Sequence, residues 1–148
     1  ASLSERDLRG KDLSGISLNE GFLSNSHLEN ANLEQAHLQK AWLTEAHLSG
    51  ANLSRADLRE AHFSGADLSG ADLRRADLRK ADLWKANLTG ARLDGANLSE
   101  ASLWETRLDG ASLKGTNLRK AKVWGVKLDP PALSQARLDK KTRAALSH

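Results

Sequence analysis

Leucine recurs at every fifth residue of this chain with almost no exception. Of the 26 fifth-residue positions from Leu3 to Leu128, 24 hold Leu, and Phe63 and Val123 hold the other two. Ala occupies 18 of the 26 positions that lie two residues earlier. An amphipathic helix repeats its apolar face at spacings of three and four, and a strand alternates with a period of two. A period of five predicts neither element alone, so it constrains the fold more than any other feature.

The Ala and Leu of each unit obey the alternation of a strand once, so both side chains can point inward from one very short strand. The remaining residues of the unit must then turn a corner. Gly suits a corner that needs a positive φ, and it stands at that position in Gly10, Gly50, Gly70, Gly90, Gly110 and Gly115. Bends repeated in one direction coil the chain into a tube filled with Leu and Ala, with polar residues outside.

Surface residues repeat at a spacing of twenty, which predicts four units in each coil. Trp84, Trp104 and Trp124 have this spacing. A corner column also has it and alternates in charge: Glu20, Lys40, Glu60, Lys80, Glu100 and Lys120. Residues twenty apart lie on adjacent rungs about 4.8 Å apart. Because opposite charges attract at that separation, we expect the corner column to help fix the register of the rungs.

The units resemble the pentapeptide-repeat family, whose motif is A(D/N)LXX. Three examples are Ala66-Asp67-Leu68-Ser69-Gly70, Ala71-Asp72-Leu73-Arg74-Arg75 and Ala86-Asn87-Leu88-Thr89-Gly90. The resemblance covers residues 1 to 130 and implies the family's right-handed quadrilateral β-helix, an all-β fold. With 26 to 28 units, we expect about six and a half to seven coils. The family includes bacterial topoisomerase-protecting proteins and many cyanobacterial and plant thylakoid-lumen members of unknown role.

The N-terminal units depart from the motif. The residues that stand where Ala is usual are Arg6, Lys11, Ile16, Gly21 and Ser26. A charge at an inward position is tolerable near an open end, where the side chain reaches water. We therefore predict an irregular first coil.

The C-terminal units are interrupted by Asp129-Pro130-Pro131, although Leu133 and Leu138 stay in register. We predict a single β-helix domain over residues 1–140, with coil to about 139. A short helical cap or tail at 141–148 follows, in which Leu146 covers the core. The alternative for the segment after Leu128 is a helix with Asp129 near its N-cap and proline in its first turn.

Composition excludes several classes of function. There is no Cys, hence no thiol nucleophile, and no apolar run approaches the roughly 18 residues that span a membrane. The chain has no Met, which indicates a processed or trimmed product. The sequence leaves the compartment open: the alternatives are the cytoplasm and, if residue 1 is a mature N-terminus, the periplasm or a thylakoid lumen.

Nothing in the pattern points to catalysis, because no outward Ser or Thr accompanies a buried His–Asp pair, and no phosphate loop is present. His27 and His47 share a column, so their rings can be adjacent, but no third ligand completes a metal site on a neighbouring rung. We expect no enzyme activity, no cofactor and no metal.

Aromatic residues are confined to one of the four sides, which we call the first wall and which is centred on Leu3 and the residues at intervals of twenty after it. Phe22 and Trp42 precede the centre of their units, whereas Trp84, Trp104 and Trp124 follow it. The tube does not require this segregation. The aromatic residues are a candidate surface for contact with an unidentified protein or a second copy. The alternative is a ladder of stacked rings that stabilises the sheet.

Basic residues form a second candidate surface on the third and fourth walls. Its arginines are Arg55, Arg59, Arg74, Arg75, Arg79 and Arg119. Such a face could bind an anion or nucleic acid. Interleaved carboxylates at Asp57, Asp72 and Asp77 are expected to neutralise much of it, which disfavours nucleic acid as a partner.

Net charge bears on the role of the topoisomerase-protecting relatives, which are thought to imitate DNA with an acidic rod. This chain has 19 acidic and 22 basic residues, for a net charge of +3. Because phosphate charge dominates what DNA-binding proteins recognise, a DNA imitator needs a strong negative field. We therefore predict a non-catalytic structural or protein-interaction scaffold. A DNA-mimicking gyrase inhibitor or protector and an anion binder are the alternatives.

Overall fold

The computed structural model describes residues 2–147, in which the backbone repeats one unit of five residues. The second residue of each unit forms a parallel β-bridge with the residue twenty positions further on, as in Asp67 with Asn87. These bridges run without a break from Ser2 to Lys122. The chain is therefore a four-sided parallel solenoid with four units in each coil, as the periods of five and twenty predict.

Each corner is a turn closed by a main-chain hydrogen bond. In the unit that ends at Arg75, the N–H of Ala76 donates to the carbonyl of Leu73 at 3.1 Å. The fifth residue of the unit has a positive φ, as the third residue of a type II turn does. The six corner glycines named from the sequence all have φ between 65° and 69°. Residues other than Gly share this conformation at fifteen further corners, with φ between 56° and 61°.

The Asp or Asn at the second position of a unit supports the turn that follows it. Its Oδ1 accepts a hydrogen bond from the main-chain N–H two residues later, at 3.0 Å in both Asp67 with Ser69 and Asn87 with Thr89. An Asp or Asn side chain can make this bond in a turn. The turn therefore explains why the second position of the motif is Asp or Asn, which the period of five alone does not explain.

The tube is filled by the first and third residues of the units. From Leu23 to Leu103 these residues are almost fully buried, and Phe63 fits among them with no exposed surface. Thr106 and Thr116 replace Ala at the first position. Their Oγ1 atoms donate to the carbonyls of Leu83 and Leu93, both at 2.7 Å. The two hydroxyls thus lie in an apolar core with their hydrogen bonds satisfied.

The first coil is regular, so the prediction of an irregular one is wrong. Asp7 and Asp12 form the same bridges as residues in later coils. The carbonyls of Arg6 and Lys11 each accept a rung hydrogen bond at 2.8 Å while both residues remain exposed. Because the ladder is made by the main chain, an unusual side chain at the open end leaves it intact.

The C-terminal end departs from the predicted coil, which was expected to reach about residue 139. Helix α1 occupies Pro130–Gln135, and its N-cap Asp129 accepts a hydrogen bond from the N–H of Ala132 at 2.9 Å. Pro131 stands where the N–H that closes each corner turn would be needed, and proline has none. The ladder resumes only where Arg137 pairs with Asn117. The uninterrupted ladder spans six turns of twenty residues between Ser2 and Lys122, slightly fewer than expected.

Helix α2, Lys140–Leu146, covers the C-terminal end of the tube. Its N-cap Asp139 accepts from the N–H of Thr142 at 2.7 Å and from the N–H of Lys120 at 2.8 Å. Leu146 is 3% exposed and belongs to the hydrophobic core, as predicted for a cap. Neither helix within residues 2–147 has the length and apolar character needed to cross a membrane.

Candidate functional site

The exposed aromatic residues of the first wall are the principal candidate site. In residues 2–147 the large hydrophobic side chains that are exposed number five, and all belong to this wall. Their exposed fractions run from 42% to 67%, for Phe22, Trp42, Trp84, Trp104 and Trp124. One side of the rod therefore differs from the other three in its capacity to bury apolar surface against a partner.

The position of each ring follows from its place in a unit. Phe22 and Trp42 are second residues, where most units carry Asp or Asn, and they lie in the β-bridges. Trp84, Trp104 and Trp124 are fourth residues, which open the corner turn. The side chains of both positions point away from the tube. The wall thus carries two offset columns of rings, one towards each end of the rod.

Shallow hollows along the wall, together called the groove here, lie between these rings and the corner column. Towards the N-terminus the groove is lined by Glu20, Phe22, Lys40, Trp42, Glu60 and His62. Further along, the lining includes Lys80, Trp84, Glu100, Trp104 and Lys120. Helix α2 borders the far end beside Trp124. The groove combines apolar rings with charges of both signs.

Stacking between rings involves few of these residues. Trp42 stacks on His62 with ring centres 3.8 Å apart, and the Nζ of Lys85 lies 4.7 Å from the Trp84 ring. Within residues 2–147, the rings of Trp84, Trp104 and Trp124 do not stack on one another. A stabilising ladder of rings therefore does not account for the three C-terminal tryptophans.

In residues 2–147, the charges of the corner column form no salt bridges with one another, since no two of its members lie within 4.0 Å of each other as an ion pair. The register depends instead on main-chain bonds, such as that from Lys40 N–H to the carbonyl of Arg59 at 2.9 Å. The six alternating charges are consequently available to a partner.

The basic surface is neutralised in part, as predicted from the interleaved acids. Arg59, Arg74 and Arg79 each pair with the Asp two residues earlier, at 2.7, 2.7 and 2.6 Å. The hydrogen bond from Arg74 lowers the pKa of Asp72, and that from Arg59 lowers the pKa of Asp57. These carboxylates stay ionised and offset the arginine charge.

The other three basic candidates form no salt bridge with the carboxylates of residues 2–147. These are Arg55, Arg75 and Arg119. Arg55 and Arg75 line a surface hollow that also contains Glu34 and Asp94, so the hollow has mixed charge. The six arginines are therefore not gathered into one strongly positive surface.

The two histidines in one column are adjacent, as their spacing of twenty predicts. The rings of His27 and His47 stack with centres 4.4 Å apart and planes at 4°. In the part of the chain that the structure describes, no three His, Cys, Asp or Glu side chains are grouped to hold a metal ion. The pair is a local contact on the second wall.

Comparison with known proteins identifies the repeat. The family model described as "Pentapeptide repeats" matches in eight copies over residues 1–35, 31–70, 56–95 and 96–129. No curated protein matches the sequence. The crystal structure of HetL, a pentapeptide repeat protein involved in heterocyst differentiation regulation in the cyanobacterium Nostoc sp. strain PCC 7120, shows 31% identity and a TM-score of 0.73. The match covers 93% of this chain and 69% of HetL.

Full-length QnrB1, a plasmid-mediated fluoroquinolone resistance protein, gives a TM-score of 0.64 over 99% of this chain and 97% of its own. At 20% identity, this likeness concerns the fold alone. The repeated bridges at a spacing of twenty, the positive-φ corners and the family match agree with one another. The chain belongs to the pentapeptide-repeat family, whose members form right-handed quadrilateral β-helices.

Proposed function

We propose that this protein is a non-catalytic scaffold that binds another protein chain through its first wall. The observation that carries the proposal is the confinement of all five exposed large aromatic side chains to one side of the rod. Burying apolar surface contributes about 25 cal/mol per Å², so five half-exposed rings offer a substantial gain to a complex. A wall used only for solvation would have no need of them.

The chemistry of the wall is that of a protein interface. Trp is among the residues most enriched where a few side chains carry most of the binding energy. Here Trp84 and Trp104 stand beside the charged corner column, so apolar surface and a polar rim occur together. The main chain beneath is held by a hydrogen bond at every rung, so little backbone freedom is lost on binding.

The family adds two points to the proposal. We carry over the right-handed sense of the coil from the family to this chain. HetL is involved in heterocyst differentiation regulation, and a rod without a recessed site would take part in regulation by binding. The topoisomerase-protecting members of the family keep topoisomerase protection as a rival, which the net charge of +3 opposes. That rival fails if the protein leaves gyrase supercoiling and drug-stabilised cleavage unchanged.

Affinity capture from the source organism's extract tests the proposal. The native chain is compared with a variant that carries Trp84→Ser, Trp104→Ser and Trp124→Ser. A control variant carries Arg74→Ser, Asp94→Ser and Lys114→Ser, which change the same position of the unit on the third wall. Circular dichroism checks that all three proteins keep the β-helix.

We expect a captured protein that the native chain and the control retain and the tryptophan variant loses. Identical captures by all three proteins would contradict the use of the first wall. Loss by the control alone would move the contact surface to the basic walls, and salt-sensitive retention on heparin would then identify an anion binder.

A further inference from the structure

We propose that the first wall binds a second copy of this chain, with the two rods antiparallel about a two-fold axis. This inference rests on the proposed function and names the partner. The axis lies in the interface, across the rods, midway between the rung of Glu60 and the rung of Lys80. Under this operation each column of the wall faces the same column of the second copy with its order reversed.

The corner column is self-complementary in charge under this operation. Glu20 faces Lys120 of the second copy, Lys40 faces Glu100, and Glu60 faces Lys80. The six residues alternate in sign, and an even number of alternating charges meets its own reversed sequence with opposite signs at every position. None of these charges forms a salt bridge with another member of the column in its own rod, within the residues that the structure describes. Such complementarity selects a partner and its register.

The column that contains three tryptophans is self-complementary in size. Over the six rungs that the corner column spans, it consists of Ser24, Thr44, Ser64, Trp84, Trp104 and Trp124, and Ser4 lies one rung further out. Reversal places Trp124 opposite Ser24, Trp104 opposite Thr44, and Trp84 opposite Ser64. A large ring therefore meets a small side chain in every pair, which is the shape relation that allows two walls to approach closely.

The column of second residues on the first wall is also self-complementary, in size and in charge. Over the same six rungs it consists of Phe22, Trp42, His62, Asp82, Ser102 and Lys122, and Ser2 lies one rung further out. Reversal places Trp42 opposite Ser102 and His62 opposite Asp82. It also places Phe22 opposite Lys122, whose ammonium group could lie over the ring. Across the three columns, no pair joins two bulky rings or two like charges.

Other arrangements of the two walls bring like charges opposite each other. A shift by one rung places Lys40 opposite Lys120 and Lys80 opposite itself. A parallel arrangement brings the corner column against the opposite corner of the wall, where Lys80 meets Lys85 and Glu100 meets Glu105. Because like charges that face each other are repelled, the surface disfavours these alternatives. Of these arrangements, only the antiparallel one centred between Glu60 and Lys80 pairs opposite charges on all six rungs.

The wall is large enough for such an interface. A quarter of the total surface of 7540 Å² is about 1,900 Å², an upper bound for one of the four sides. A standard interface buries about 800 Å² on each partner. Contact along six rungs would therefore reach standard size without involving a second wall.

Sedimentation and light scattering test the assembly. The native chain of 16.1 kDa is expected to double in mass as its concentration rises from about 1 μM to about 1 mM at low salt. Glu60→Lys places two like-charge contacts at the centre of the interface and should weaken association by at least about tenfold. Adding Lys80→Glu in the same chain restores opposite charges and should restore the dimer. Glu34→Lys, the same change on the third wall, should have little effect.

Crosslinking tests the register. The chain has no Cys, so introduced thiols are the only ones present. A Glu60→Cys chain mixed with a Lys80→Cys chain should form a heterodimer with a short bis-maleimide. A mixture of Glu60→Cys with Glu20→Cys is the control. It should give much less heterodimer, because Glu20 lies three rungs, about 14 Å, from the position that Glu60 of the second copy faces.

Two results would overturn the self-pairing: a native chain that stays at the mass of a monomer over the whole range, and a dimer that Glu60→Lys leaves unchanged. A monomer whose captured partner is still lost by the triple tryptophan variant would overturn the self-pairing while the proposed function stands. A partner or dimer that withstands every change to the first wall would overturn both.

Discussion

The two ends of the rod differ in how the last apolar residues meet water. At the N-terminal end the first rung has no cover, so Leu3 and Leu8 are half-buried while Arg6 and Lys11 occupy inward positions. At the C-terminal end helix α2 lies over the tube and places Leu146 in the core. In the described part of the chain, charged side chains stand at inward positions of the first coil, whereas a helix covers the last coil.

The difference follows from the main chain. The first rung keeps every bridge to the next coil, because the N–H groups of Leu3 and Leu8 donate to carbonyls of that coil at 2.7 Å. The carbonyls of Arg6 and Lys11 accept hydrogen bonds from its N–H groups. At the covered end, α1 displaces one unit of the coil, and the N–H of Gly115 finds its acceptor in the carbonyl of Gln135 at 3.0 Å. The C-terminal end therefore depends on side chains for its closure, whereas the N-terminal end does not.

The largest expected difference between the ends concerns their leucines. Leu146→Ala should lower the free energy of unfolding by about 2–4 kcal/mol, because it removes a buried side chain and leaves a cavity beneath α2. Leu8→Ala should have a smaller effect, because that side chain is already half-exposed. Urea denaturation measures both. Equal losses would show that α2 adds nothing to the closure of the tube.

A smaller difference is expected at the corner glycines. Gly10→Ala should cost about 1–2 kcal/mol, since its φ of 66° is left-handed and its surroundings are open. Gly125→Ala should cost more, because its φ is 77° and a new Cβ would lie 3.2 Å from the Cγ of Glu105. The melting temperatures of the two variants show which substitution destabilises the protein more. A greater loss at Gly10 would contradict the crowded geometry of the C-terminal corner.

The capping carboxylates sharpen the comparison within the covered end. Asp139→Ala removes the acceptor for the N–H groups of Thr142 and Lys120, so it should loosen α2 from the last rung. Asp129→Ala is the matched control, since it removes the N-cap of α1 alone. Hydrogen exchange should accelerate at the amides of α2 in the first variant and not in the second. Unchanged protection of α2 would show that Leu146 alone holds the helix.

The smallest effect is expected from pH. Hydrogen bonds from the N–H of Thr142 lower the pKa of Asp139 in the folded protein. This contribution to stability is present above the unfolded value of about 3.9 and is lost as pH falls through the lowered folded pKa. The stability difference between the native chain and Asp139→Asn should therefore shrink as pH falls from about 5 towards 2. A constant difference would contradict the capping role.

At the open end, Arg9 lowers the pKa of Asp7 in the same direction. This pair is exposed and covers no core, so Asp7→Asn should leave the unfolding midpoint at pH 7 unchanged. Urea denaturation at two salt concentrations serves as the check. A marked, salt-independent loss would mean that the first coil depends on its surface charges.

Side-chain columns could be predicted from the sequence because a strict repeat converts numbering into position. The confinement of Trp84, Trp104 and Trp124 to one wall follows from counting in fives and twenties. The neutralisation of Arg74 by Asp72 follows from their positions two residues apart in one unit. The structure of the two ends could not be predicted from the repeat period. It depends on main-chain hydrogen bonds, which are indifferent to Arg6 and Lys11 but are broken by Pro131.

By itself, the sequence determined the period, the inward Leu and Ala, the four walls and the segregation of the aromatic residues, because one side-chain rule is repeated in every unit. Only the tertiary structure decided the regular first coil and, between the two alternatives for the segment after Leu128, the helix at Pro130–Gln135. It also decided that the corner charges pair with no other member of their column within the described residues. These features lie at the two ends of the described rod or between adjacent rungs. In those places main-chain hydrogen bonding decides the structure more than the repeated sequence pattern does.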